Sequence, residues 1–190
     1  ATVSIGISIY PDDGDSLSDL LRKGDMALGE SKAQQGNQFH FFSAAMDRNM
    51  HNRVFVETEL KKALTGEHLI NYYQPIVDSQ SLAIIGAEAL VRWQHPERGL
   101  VSPAEFIPIA EETGLIREVN DWVLQQAMTD QIYWLEHGFA DLHVSVNTTA
   151  HQFQESRILH NVEDGIKRFG ADPRRLHLEI TENSLMQQAE

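Results

Sequence analysis

Glu88 and Arg92 lie inside IIGAEALVRW (84–93), a stretch that reads as a buried β-strand. Charged side chains are rarely buried unless they are paired or bound to a metal. Side chains alternate across a strand, so residues of equal parity share a face. Glu88 and Arg92 therefore fall together, opposite Ala87, Ala89 and Val91. LHVSVN (142–147) sets His143, Ser145 and Asn147 against Val144 and Val146, and RLHLEIT (175–181) sets His177, Glu179 and Thr181 against Leu176, Leu178 and Ile180. Each strand thus has one apolar face and one face ending in oxygen donors. Helices would cover the first, and the second would look into a barrel or cleft. Two carboxylates and an amide oxygen form a hard-donor set suited to Mg²⁺ or Mn²⁺ rather than zinc or copper. Arg92, toward the C-terminal end of its strand, could hold a phosphate, and a metal beside an arginine points to phosphoryl chemistry. The same two charges read equally as a structural ion pair.

The remaining chemistry-bearing residues are less informative. His95 sits in HPERG, a turn, and His137 at a helix end, and most of the nine histidines read as surface residues. His143 and His177 face the same interior but read as satisfied by neighbours rather than as ligands. No HxH, HExxH, Walker loop, GxGxxG or nucleophile elbow is present. With no cysteine among 190 residues, disulfides, cysteine-type zinc sites and thiol nucleophiles are excluded. A formal charge of −13 disfavours non-specific binding to a nucleic acid polymer or to an anionic membrane. No run of about 18 apolar residues marks a membrane span.

The elements that must position these residues follow from periodicity. Thr2 to Tyr10 alternates, with Val3, Ile5, Ile7 and Ile9 on the apolar face, and Ser16 caps a helix to about Gln35 with Leu17, Leu20, Leu21 and Leu28 inward. Asn37 to Phe42 is a second strand, and residues 43–66 form a helix linking two units. Strands at 70–78 and 83–93 follow. Ser102-Pro103-Ala104-Glu105 is a capping box with proline at the first helical position. Gly114 punctuates that helix. A longer helix spans 118–137, and strand 142–147, helix 155–169 and strand 175–181 complete an alternation expected of a parallel α/β unit. The chain starts inside a strand pattern and stops on polar residues after a strand, so it reads as a piece of a longer protein.

YQPIVD (73–78), GAEALVRWQHPERGLVSPAEFIPIAEETGLI (86–116), VSVNTTAHQF (144–153) and LHLEITENSLM (176–186) together closely resemble the EAL-domain family of cyclic di-GMP phosphodiesterases. VSIGISIYP (3–11), the leucine-rich helix at 17–28 and NQFHFF (37–42) resemble the tail of a GGDEF-type diguanylate cyclase domain. The resemblance implies an α/β chain. Residues 67–190 would be the N-terminal part of a TIM-like (β/α)₈ barrel. Residues 1–45 would be an α+β GGDEF fragment, and 46–66 the linking helix.

It also implies a bacterial signalling hydrolase that cuts cyclic di-GMP to linear pGpG, with water activated between two divalent ions, Mg²⁺ or Mn²⁺. Carried over by motif, Glu88, Asn147 and Glu179 are metal ligands, and Arg92 contacts a ligand phosphate. Leu90 and Gln74 line the ligand pocket. Glu182 positions a catalytic loop, assisted by Thr181. The family's next strand, with further metal-ligand aspartates, is not in the chain, nor are its later catalytic lysine and last glutamate, so the fragment alone is expected to be inactive. Gly24 and Gly29 stand where the cyclase helix usually has alanine and tyrosine, and Gly36 where it usually has arginine. The competing expectation is a degenerate module that binds cyclic di-GMP or a protein partner without cutting it. A homodimer is a family expectation. So is a cytoplasmic location, with any membrane anchor lying upstream.

Overall fold

The computed structural model describes residues 2–33, 37–139, 141–148 and 157–180. The chain forms two compact units, Ala1–Val56 and Glu57–Glu190. In the first, β1 (Ile5–Ile7) pairs in parallel with β2 (Phe39–Phe41), and α1 (Leu17–Ala33) makes the crossover. Ser16 Oγ accepts the Asp19 N–H at 3.2 Å, the expected start of α1.

The face of β1 that meets α1 is the small one, contrary to the apolar alternation. Ser8 Oγ donates to the Leu20 carbonyl at 2.8 Å, and a Cβ on Gly6 would overlap the Gly24 carbonyl and the Leu28 amide. Backbone-close packing needs small residues, so the buried stripe of α1 includes Ala27 and Ser31. Leu17 and Leu21 lie outside it, at 74% and 61% exposure. Ile5, Phe39 and Phe41 share the outer face and stay exposed.

Helix α2 (Ala44–Thr65) runs through the boundary between the units. The second unit then contains β3 (Leu69–Val77), β4 (Ile84–His95), β5 (Gly99–Val101), α3 (Pro103–Thr113), α4 (Ile116–Glu136), β6 (His143–Thr148), α5 (Arg157–Phe169), a 3₁₀ turn (Pro173–Arg175) and β7 (Leu176–Ile180). Its sheet has the order β3-β4-β6-β7, with β5 on the end of β4. Strands β4, β6 and β7 are parallel, as expected, but β3 and β5 run antiparallel to β4. A parallel crossover needs a dozen or more residues, and the link from β3 to β4 is a turn closed on Asp78. The Asp78 carboxylate accepts the Gln80 and Ser81 N–H groups and the Ser81 hydroxyl.

Helices α3 and α4 cover the apolar sheet face. Trp93 packs edge-on against Phe106, Tyr73 against Trp134, and Asn71 donates to the Val123 carbonyl. Val119, Ala127, Met128, Val144 and Val146 complete this core. The capping box does not close. Ser102 makes no side-chain cap, and Glu105 pairs instead with Arg98 at 3.2 Å. Gly114 ends α3 at φ +79°, a left-handed conformation suited to glycine. Among the described residues no helix is long and apolar enough to cross a membrane.

Candidate active site

The strand registers bring the parity-matched residues to one face. Glu88 pairs with Gln74 on β3 and Ser145 on β6, while Asn147 pairs directly with Glu179 on β7. Registered neighbours point to the same side of a sheet, about 4.8 Å apart along the hydrogen-bonding direction. Glu88, Asn147 and Glu179 therefore form a patch across three adjacent parallel strands, with Gln74 beyond Glu88. The Asn147 amide Nδ2–H donates to Glu88 Oε1 at 2.6 Å, so the half-buried carboxylate has a polar partner within the patch.

Glu88 and Arg92 do not form the structural ion pair. Four residue steps along the strand separate them by about 13 Å, and each has other company. The Arg92 guanidinium donates to the Val91 carbonyl at 2.8 Å and lies 5.3 Å from the Tyr72 ring centroid, a cation–π contact. Among the described residues no carboxylate pairs with the half-buried guanidinium.

Beside this patch lies a largely apolar cavity of about 240 Å³. Leu90, Arg92 and Asn147 line it from the strands, and Pro103, Ile107 and Glu111 from α3. Helix α4 adds Ile116, Asn120 and Val123. The helix residues were not picked out by the sequence reading. Their signal is the i, i+4, i+8 spacing of Pro103, Ile107 and Glu111, which puts them on one side of α3. Of the predicted site residues, Thr181 and Glu182 lie outside the described residues.

His143 and His177, at the opposite ends of β6 and β7 from the patch's Asn147, stack with centroids 4.2 Å apart. Burial, and then the nearby His177, hold the His143 imidazole below its ordinary pKa. His95 departs from expectation: it is 4% exposed, not on the surface.

Among the described residues no three histidine or carboxylate side chains cluster closely enough to hold a metal ion. A cation at the patch would need the Asn147 amide oxygen as third donor. Two carboxylates plus that oxygen fit the hard-donor preference of Mg²⁺ or Mn²⁺.

A family model described as the EAL domain matches residues 57–190. The bifunctional diguanylate cyclase/cyclic di-GMP phosphodiesterase MucR of Pseudomonas aeruginosa is 37% identical over 189 residues, 100% of this chain and 28% of that protein. The cyclic di-GMP phosphodiesterase NbdA of the same organism is 36% identical over 185 residues, 97% of this chain and 24% of that protein. The chain thus spans about a quarter of the length of these relatives. Among solved structures, the MucR phosphodiesterase in complex with cyclic di-GMP superposes with a TM-score of 0.65 at 39% identity, over 70% of this chain and 54% of that one. An EAL enzyme with cAMP and cyclic di-GMP bound gives 0.64 at 28% identity, over 94% and 47%. Homologous to named cyclic di-GMP phosphodiesterases and matched by the family model from residue 57 to residue 190, the chain belongs to the EAL-domain family.

Proposed function

We propose that these residues belong to a longer protein that hydrolyses cyclic di-GMP to linear pGpG. The observation that carries the reading is the Glu88–Asn147–Glu179 patch, whose Asn147 lines a cavity of about 240 Å³ together with Arg92. In this reading residues 67–190 open a TIM-like barrel, and Glu88, Asn147 and Glu179 hold Mg²⁺ or Mn²⁺ on its inner face. Two such ions, when bound, activate water and offset charge on the phosphoryl oxygens.

The chain's own residues do the rest. Arg92, steadied by Tyr72, holds a ligand phosphate with charge-assisted hydrogen bonds. Leu90 and the apolar walls from α3 and α4 exclude water around the ligand. Gln74 extends the polar face beside Glu88. Asn147 must turn its Oδ1 toward the cation, which releases the Nδ2–H bond to Glu88. Thr181 and Glu182 position a catalytic loop. Residues 1–45 are read as the tail of a GGDEF domain, with 46–66 as the linking helix. Support comes from the β–α–β pattern and from an alignment to the bifunctional MucR that runs through this segment. The exposed face of Ile5, Phe39 and Phe41 is one that a packed layer of helices would cover.

The test is cyclic di-GMP turnover by the full-length protein with Mg²⁺ or Mn²⁺, beside a Glu88→Ala variant. Production of pGpG by the parent and its loss in the variant is the expected result. Binding without turnover would make the protein a cyclic di-GMP receptor, and absence of both would leave only the fold.

A further inference from the structure

Among the described histidines, His95 is unusual in being buried where two elements meet. It ends β4, and its Nδ1 accepts the backbone N–H groups of both Glu97 and Arg98 at 3.1 Å. A nitrogen that accepts two N–H groups carries no proton, so the ring proton is on Nε2. Nε2 faces the Glu59 carboxylate of α2 at 3.7 Å. Glu59 is held in turn by Lys62 at 2.6 Å. The ring also lies edge-on to Trp93 at 5.6 Å, and Trp93 to Phe106 of α3 at 5.7 Å.

These contacts converge on one wall of the cavity. His95 pairs in register with Gly99, so the turn it closes sets where β5 begins. Strand β5 runs through Ser102 directly into α3, whose Pro103, Ile107 and Glu111 face the cavity that Arg92 also lines. Arg98, whose amide His95 holds, pairs through its guanidinium with Glu105 in the first turn of α3.

We propose that His95 is a positioning residue for ligand binding: by accepting two turn amides while oriented by Glu59, it fixes α3 against Arg92. The proposal rests on the cyclic di-GMP reading for its ligand, but not for its mechanics. His95 touches no ligand; it acts through the 95–99 turn. The affinity of the cavity, rather than the chemical step, depends on it.

Two carboxamides separate the ring's two nitrogens. Asparagine can place its Oδ1 where Nδ1 accepts the amides, whereas glutamine reaches the position of Nε2 and gives up that acceptor. Steady-state kinetics on cyclic di-GMP by the full-length protein, wild type and His95→Asn, His95→Gln and His95→Ala, form the first arm. In His95→Gln and His95→Ala, KM is expected to rise about tenfold with kcat within about twofold, and His95→Asn to keep both near wild type. The second arm follows amide hydrogen exchange without ligand in the same four proteins. Faster exchange across residues 99–107 in His95→Gln and His95→Ala, and not in His95→Asn, is expected.

An unmoved KM in His95→Gln and His95→Ala, or a His95→Asn variant as impaired as His95→Ala, overturns the proposal. If the wild type neither binds nor cleaves cyclic di-GMP, the phosphodiesterase reading fails and exchange alone decides. Exchange changes confined to residues 97 and 98 would then show a local turn contact and overturn the positioning role.

Discussion

Arg92 and Asp172 show how one residue's partners decide what it can do. Among the described residues the Tyr72 ring and the Val91 carbonyl hold Arg92, and neither Glu88 nor Glu179 pairs with it. Arg92→Ala is expected to weaken cyclic di-GMP binding by the full-length protein about 10- to 100-fold, the loss of one or two hydrogen bonds to a charged group. Arg92→Lys should recover only part of it, because an ammonium cannot reproduce a forked contact. Titration calorimetry would check both. Asp172 is the opposite case: hydrogen bonds from the Arg174 side chain and backbone hold its carboxyl down to about 2. A lowered folded pKa gives stability that is fully present above the unfolded value, near 3.8, and is lost as pH falls through about 2. Asp172→Asn should therefore melt below wild type at neutral pH. The gap should close between about pH 4 and pH 2, as read from thermal melts across pH.

At the scale of elements, glycine positions separate close packing from mere tolerance. Gly6 lets β1 lie against the backbone of α1, where a methyl group has no room beside the Gly24 carbonyl and the Leu28 amide. Gly6→Ala should destabilise the first unit by about 3 kcal/mol, near the upper end for overpacking. Gly29 has nothing within 4 Å of where its Cβ would lie and sits inside α1. Gly29→Ala should stabilise that helix by about 0.5–1 kcal/mol, since glycine has the larger backbone entropy to lose. Denaturant melts followed by circular dichroism would score both. The capping box teaches a related lesson, since Glu105 pairs with the Arg98 guanidinium rather than with a backbone amide.

For the whole molecule, the decisive fact is how little of an EAL protein this chain spans. The described patch offers two carboxylates and one amide, fewer donors than the two ions of the proposed mechanism require. Residues 1–190 alone should show no cyclic di-GMP turnover under conditions where the full-length protein is active, measured by chromatography of pGpG. A turnover-competent fragment would show that the present donors suffice. Sedimentation of the full-length protein would test the family expectation of a homodimer.

Strand parity alone determined which residues within each strand share a polar face, because alternation is a local property of extended backbone. Glu88, Asn147 and Glu179 were legible for that reason. The α/β alternation and the start of α3 at Pro103 were equally local. Pairing partners and helix faces were not, because they depend on what each element meets in space. Hence β3 and β5 run antiparallel to β4, and α1 packs through its small residues rather than Leu17 and Leu21. His95, which looked like an exposed turn residue, became buried through Glu59, Trp93 and two turn amides. Only tertiary structure could decide that, because Glu59 lies far from His95 along the chain and meets it only after folding.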